Sequence, residues 1–102
     1  MKFFNRSLTD NKLKTFVIKH ENSYYIKSSK DPHKSIEALE SEFEVSYTTI
    51  AVFNYDITKD LIRYFEDFKV SNGAYALNTL SESFILDIST RSERETKTYL
   101  NI

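Results

Sequence analysis

A strand can pass into a helix only where the backbone is broken and the first helical N–H groups find acceptors. One stretch of this chain carries that break in full. Tyr24-Tyr25-Ile26-Lys27 reads as a short strand, Ser28-Ser29-Lys30 as a tight polar turn, and Asp31-Pro32 as the start of a helix continuing through His33-Lys34-Ser35-Ile36-Glu37-Ala38-Leu39. Asp is a preferred N-cap, and Pro suits the first helical position, where its missing N–H would be unpaired anyway. The rest of the chain has to be arranged around this strand–turn–helix unit.

Upstream, Thr15-Phe16-Val17-Ile18-Lys19-His20 is rich in β-branched and aromatic residues, and Glu21-Asn22-Ser23 supplies a turn. With the strand that follows, it predicts an antiparallel hairpin. Ile36, Leu39 and Phe43 recur at helical spacing while Glu37, Glu40 and Glu42 face elsewhere, so an amphipathic helix is expected from Pro32 to about Phe43. Glu44 to Tyr55 is the strongest strand pattern. It is apolar on both faces, through Val45, Tyr47, Ala51 and Phe53 on one and Ile50 and Val52 on the other, which predicts a place in the sheet interior. Asp56 is expected to cap a second helix to about Val70, with Ile57, Leu61, Phe65 and Phe68 as its core stripe. Ser71-Asn72-Gly73 reads as its stop and Ala74 to Leu77 as an extended link. Thr79-Leu80-Ser81-Glu82 matches a capping box for a short third helix using Leu80, Phe84, Ile85 and Ile88. The expected fold is α+β in the order ββαβαα, a three-stranded, mostly antiparallel sheet flanked by three helices. Residues 1–14 read as a lead-in that tucks Phe3 and Phe4 against the domain, or else as a partner-binding arm. Residues 15–88 form the domain, and 89–102 a polar tail, frayed or weakly docked.

Composition narrows the function classes. At 102 residues the chain suits one domain, and seven Tyr with eight Phe supply core and interface material. A net charge of −1 argues against a surface that is one polyanion-binding field, though a local basic patch is compatible with it. There is no cysteine, hence no disulfide framework or thiolate zinc site. Met1-Lys2-Phe3-Phe4-Asn5-Arg6 does not read as a signal peptide, and no apolar run approaches the roughly 20 residues a membrane span needs. A cytoplasmic protein with no membrane partner is expected.

The element order and the opening motif resemble the GIY-YIG nuclease superfamily, in particular its small phage- and bacterium-type branch. Tyr25-Ile26-Lys27 stands at the YIG position, and Ser29, Asp31-Pro32, Ser35 and Leu39 follow at the family's spacing. Phe68-Lys69-Val70-Ser71-Asn72-Gly73-Ala74-Tyr75-Ala76-Leu77 resembles its later motif. The resemblance covers roughly Thr15 to Ile88. It implies a nuclease in which a glutamate holds a divalent metal, a helix arginine stabilises the phosphate and tyrosines position the attacking water. Transferred residue by residue, most of that chemistry is missing. Lys27 replaces the glycine, the first-motif tyrosine falls on Phe16 or Ile18, the arginine on Ser35 and the glutamate on Ala74. Tyr25, Ser35 and Ala74 are therefore vestigial positions, and neither an enzyme nor a cofactor is expected.

Two charged clusters remain. Lys27, Lys30, His33 and Lys34 gather at the turn and helix start, where an anion or nucleic acid would be favoured; the alternative is an ordinary solvated turn. Glu37 and Glu40 lie on an acidic helix end that suits a basic protein surface or plain solvent, and Tyr24 and Tyr75 are candidate interface anchors. His20 and His33 lack a second ligand at metal spacing, so no metal site is expected. The function expected is non-catalytic binding, by a phage or mobile-element inhibitor of a host nucleic-acid-processing or defence protein. The alternative is a nucleic-acid-binding module using Tyr25, Lys27, Lys30 and Lys34, and the third choice a residual metal-dependent nuclease.

Overall fold

In the computed structural model, which describes residues 12–101, the chain begins with β1 (Lys14–His20) folded back on β2 (Ser23–Ser29). The hairpin matches expectation, with Val17 opposite Ile26 and Ile18 opposite Tyr25. Glu21 takes φ 56 in its two-residue turn, the left-handed backbone that tight hairpins demand. The helix α1 (Pro32–Phe43) also starts as read: the Asp31 carboxylate accepts from the Lys34 N–H at 3.2 Å, and Pro32 fills the first turn. It stops because Glu44 turns left-handed, at φ 54.

From there the fold departs from the expectation. The sheet has five strands rather than three among the described residues, in the order β3-β1-β2-β5-β4, every neighbouring pair antiparallel. The central apolar run contributes only β3 (Thr48–Val52), and it lies at an edge, not in the interior. The physical reason is a bulge: β3 carries one residue more than β1 at Ile50. Consecutive Ile50 and Ala51 can then both reach the same core, together with Phe53. The strand itself then buries one face only, while Val45 and Tyr47 ahead of it turn to the α1 side, and Val52 is left 44% exposed.

The second helix is shorter than the Asp56-to-Val70 expectation. α2 (Thr58–Tyr64) is followed by a single tight helical turn, Glu66–Phe68, and then by β4 (Lys69–Ser71). Asp56 does accept from the Thr58 N–H at 3.1 Å, but it precedes the helix by two residues. Asn72-Gly73 does not end a helix. It closes a hairpin between β4 and β5 (Ala74–Tyr75), with Gly73 at φ 84, and β5 pairs onward with β2. α3 (Thr79–Ser89) is capped by Asn78, whose side chain accepts from the Ser81 N–H at 2.8 Å, not by Thr79. Leu80, expected in its core stripe, is 80% exposed. The 89–102 stretch is not a loose tail: α4 (Glu93–Tyr99) starts with a true capping box, Ser92 with Glu95, and Leu100 is buried in the core. The helices thus number four rather than three among the described residues. The lead-in expected at residues 1–14 lies almost wholly outside the described residues, so neither the tucked Phe3 and Phe4 nor an arm is addressed.

Helices sit on both sides of the sheet. Val17, Tyr24, Ile26, Phe53 and Tyr75 pack with Ile57, Leu61, Phe65, Ile85, Ile88 and Leu100 on the side of α2, α3 and α4. Phe16 and Ile18 meet Ile36 of α1 on the other. Two fully buried threonines tie the larger side together. Thr15 Oγ1 accepts from the Ile57 N–H at 2.6 Å and bonds Thr58 Oγ1 at 2.8 Å. Thr96 Oγ1 donates to the Ile88 carbonyl at 2.9 Å and meets the Tyr55 hydroxyl at 2.6 Å. Among the described residues no buried side-chain polar atom lacks a partner, as a stable interior requires. No described helix is long and apolar enough to cross a membrane.

Candidate functional site

Side chains alternate across a strand, so Tyr25 and Lys27 of β2 project to the α1 side while Tyr24 and Ile26 enter the larger core. Tyr25 and Lys27 floor an open cleft of about 470 Å³. Its walls are His20 at the end of β1, Leu39 and Phe43 of α1, Val45 and Tyr47 of the following loop, and the Asn72-Gly73 turn. The aromatic rings brace one another: Tyr47 meets Tyr25 edge-on at 6.0 Å, and His20 meets Tyr47 edge-on at 6.0 Å. Tyr47 is held from behind, because its backbone N–H donates to Glu40 Oε2 at 2.9 Å. His20 Nδ1 lies 3.4 Å from the Ser46 carbonyl and Nε2 3.8 Å from Glu21.

The electrostatics follow from this lining. Burial, then the nearby Tyr25, Glu40 and Glu42, pushes the Tyr47 hydroxyl above its ordinary value, so it stays protonated as a hydrogen-bond donor at neutral pH. Lys27 is exposed and brings a positive charge to the rim. Among the described residues no carboxylate lines the cleft. Among the described residues no three His, Asp or Glu side chains gather as a metal-binding group. The cleft can offer ring faces and edges, hydroxyl and amide hydrogen bonds and a cation.

The residues singled out in the sequence are distributed unevenly over this site. Tyr25 and Ala74 are register partners on β2 and β5, so the two positions do share a neighbourhood, with Ala74 buried. Ser35 is set aside from them, its hydroxyl bonded to Ser29 at the far end of β2. Of the basic candidates only Lys27 lines the cleft; Lys30, His33 and Lys34 are exposed around the start of α1. The four partner-binding candidates fare worse. Tyr24 is 3% and Tyr75 2% exposed, both in the larger core, so neither can anchor an interface. Glu40 is occupied by the Tyr47 N–H, and Glu37 alone of the four is exposed.

Tyr24 has a structural task. Its hydroxyl donates to Glu82 of α3, Lys19 Nζ donates to the same carboxylate oxygen at 3.2 Å, and the ammonium sits 5.2 Å from the Tyr24 ring centroid. Burial, then the bond to Glu82, raises the Tyr24 hydroxyl. The Tyr24 bond, followed by Lys19, holds the Glu82 carboxyl low against the opposing effect of burial.

His20, Leu39, Phe43, Val45, Tyr47, Asn72 and Gly73 were not read from the sequence as one site. Two signals pointed to part of it: strand alternation couples Lys27 to Tyr25, and Asn-Gly between extended residues is a strong short-range hairpin signal. Once that hairpin forms, its turn falls beside β2. No family model, curated protein or solved structure matches the chain.

Proposed function

We propose that this chain works by binding rather than by catalysis, on a scaffold derived from GIY-YIG-like nucleases, with the α1-side cleft as its target-facing surface. The observation that carries this is the cleft lining among the described residues: two braced tyrosines, a histidine and a lysine, without a carboxylate. Ser35 and Ala74, where the resembled family places a phosphate-binding arginine and a metal-binding glutamate, supply neither a cation nor an anionic oxygen. The target that suits this lining best is a single-stranded nucleic acid. Bases have π-faces for Tyr25 and Tyr47, at about 1–3 kcal/mol per stacked base, and phosphates a cation in Lys27. Lys30 and Lys34 would extend the track along the start of α1.

The second reading is a protein partner, as for a phage or mobile-element inhibitor of a host defence or nucleic-acid-processing protein. Exposed Phe43, Tyr64, Phe68 and Val70 favour it, since large apolar side chains left in solvent are interface material. Fluorescence anisotropy with labelled single-stranded DNA and RNA at low salt separates the two. The expected result is binding that weakens steeply as salt rises and drops at least tenfold in Tyr25→Ala and Lys27→Glu. No anisotropy change with either strand at low salt overturns the nucleic-acid target. Cleavage of either strand that depends on added Mg²⁺ or Mn²⁺ overturns the non-catalytic assignment.

A further inference from the structure

The two tyrosines of the α1-side cleft stand almost at right angles, with 81° between their ring planes and 6.0 Å between their centroids. A planar base can lie flat on one of those rings only; the other ring then stands against the edge of the same base. Tyr47 is closed off further by His20, whose ring meets it at 73°. A volume of about 470 Å³ suits one small planar group and not a run of stacked bases. The cleft is therefore built to take a single base out of a strand, with its polar side chains left to meet that base's edge.

Asn72 is the lining side chain that presents a donor and an acceptor side by side in one plane. Among the described residues nothing hydrogen-bonds its carboxamide. Strand pairing fixes where that group sits. The Asn72-Gly73 turn joins β4 to β5, and Ala74, the first residue of β5, is the register partner of Tyr25. The turn thus carries a free carboxamide on the strand next to the tyrosine that floors the cleft.

Resting on the nucleic-acid reading above, we infer that the cleft selects adenine, with Asn72 as the specificity-determining residue. The Asn72 amide donates an N–H to adenine N7, and its carbonyl accepts from the N6 amino group. This is the bidentate pairing that carboxamides make with adenine, and in an unpaired strand that edge is open. A 6-oxo purine brings a carbonyl oxygen to the same place and leaves the Asn72 carbonyl without a proton to accept. The cytosine amino group is matched by a carboxylate, and among the described residues none lines the cleft. Lys27 is two residues from Tyr25 on the same strand face, about 7 Å along the backbone. It is exposed at the rim, a position that suits the phosphate flanking the held base.

Fluorescence anisotropy of the full chain with labelled ten-residue oligo(dA), oligo(dI) and oligo(dC), at one low salt concentration, tests this. Oligo(dI) keeps the purine ring and N7 but carries a carbonyl in place of the amino group, so it controls for stacking. The expected result is that oligo(dA) binds about tenfold more tightly than either of the others. Asn72→Ala should bring oligo(dA) down to their level. That variant should melt near the wild-type temperature, because Asn72 is exposed and is not among the residues with left-handed backbone. Unlabelled AMP should displace oligo(dA) only at far higher concentration than unlabelled oligo(dA) does. AMP that competes equally well keeps the adenine assignment and gives the ligand to a free nucleotide. Equal binding of the three strands overturns the adenine assignment while leaving single-strand binding in place. So does an oligo(dA) preference that survives in Asn72→Ala, or a preference for oligo(dI), which makes Lys27 the reader. Binding of none of the strands overturns the single-strand reading and this inference together.

Discussion

Behind the sheet, α2, α3 and α4 converge on one continuous core; in front, α1 lies across the strands with far less beneath it. Among the described residues the rear cluster holds twelve buried side chains and the front cluster three. The polar interior follows the same division, because the Thr15–Ile57 bond and the Tyr55–Thr96–Ile88 network reinforce the rear. The difference teaches how a small domain of this kind can keep a surface available for binding. Burial and buried hydrogen bonds on one face supply most of the stability, so the other face can leave rings such as Tyr25, Tyr47 and Phe43 partly in solvent without unfolding.

Substitutions can break or sharpen this contrast. The largest effect is expected from Phe53→Ala, which removes a fully buried ring from the rear core and should cost about 3–5 kcal/mol in urea unfolding. Phe43→Ala on the front, where the ring is 57% exposed, should cost well under about 1 kcal/mol. Equal losses at the two sites would erase the distinction. Leu100→Ala should cost about 2–4 kcal/mol if the C-terminal helix is part of the rear core, and nearly nothing if it is a loose tail.

An acid titration of stability should place Glu82 with the rear side as well. Its folded-state pKa is depressed, by Tyr24 first and by Lys19, so its contribution is present at neutral pH and is lost as pH falls through the folded value. Glu82→Gln should therefore lower the melting temperature at neutral pH and flatten its decline toward acid. An unchanged acid limb would remove the network from the list of stabilising contacts. Gly73→Ala should cost about 1–2 kcal/mol, less than the two core truncations. Its built Cβ meets nothing within 4 Å, so the left-handed backbone alone sets the penalty. That loss should appear with little change in rear-core packing.

Local signals were legible wherever the backbone itself states its needs. The Thr15–Lys27 hairpin and the Asp31–Pro32 helix start were read as they stand, because strand alternation, a cap and a fixed proline φ act over a few residues. The Asn72-Gly73 turn was visible but assigned to the wrong element. The 3.6-residue pattern of Leu61, Phe65 and Phe68 seemed to run into it, and a glycine after such a pattern looks like a helix stop. α4 was missed because Glu93-Arg94-Glu95-Thr96-Lys97-Thr98-Tyr99 has almost no apolar stripe. Its anchor is a threonine buried through hydrogen bonds, and the Ser92–Glu95 capping box was its one local signal. Of the site, Tyr25 and Lys27 were found, while Tyr24 and Tyr75 were assigned to a surface from which they are buried.

By itself the sequence determined the hairpin, the capped first helix and which segments are apolar enough to enter a core. Local sterics and capping hydrogen bonds settle these before distant contacts form. Only the tertiary structure decided that β3 is an edge strand, that β5 joins β4 to β2, and that Tyr24 points inward while Tyr25 borders a cleft. Those outcomes depend on register, and a one-residue bulge or shift moves a side chain from one face of a sheet to the other. The Tyr24-to-Leu39 stretch supplied the pieces; pairing across β1, β2 and β5 made one of its two tyrosines core and the other site.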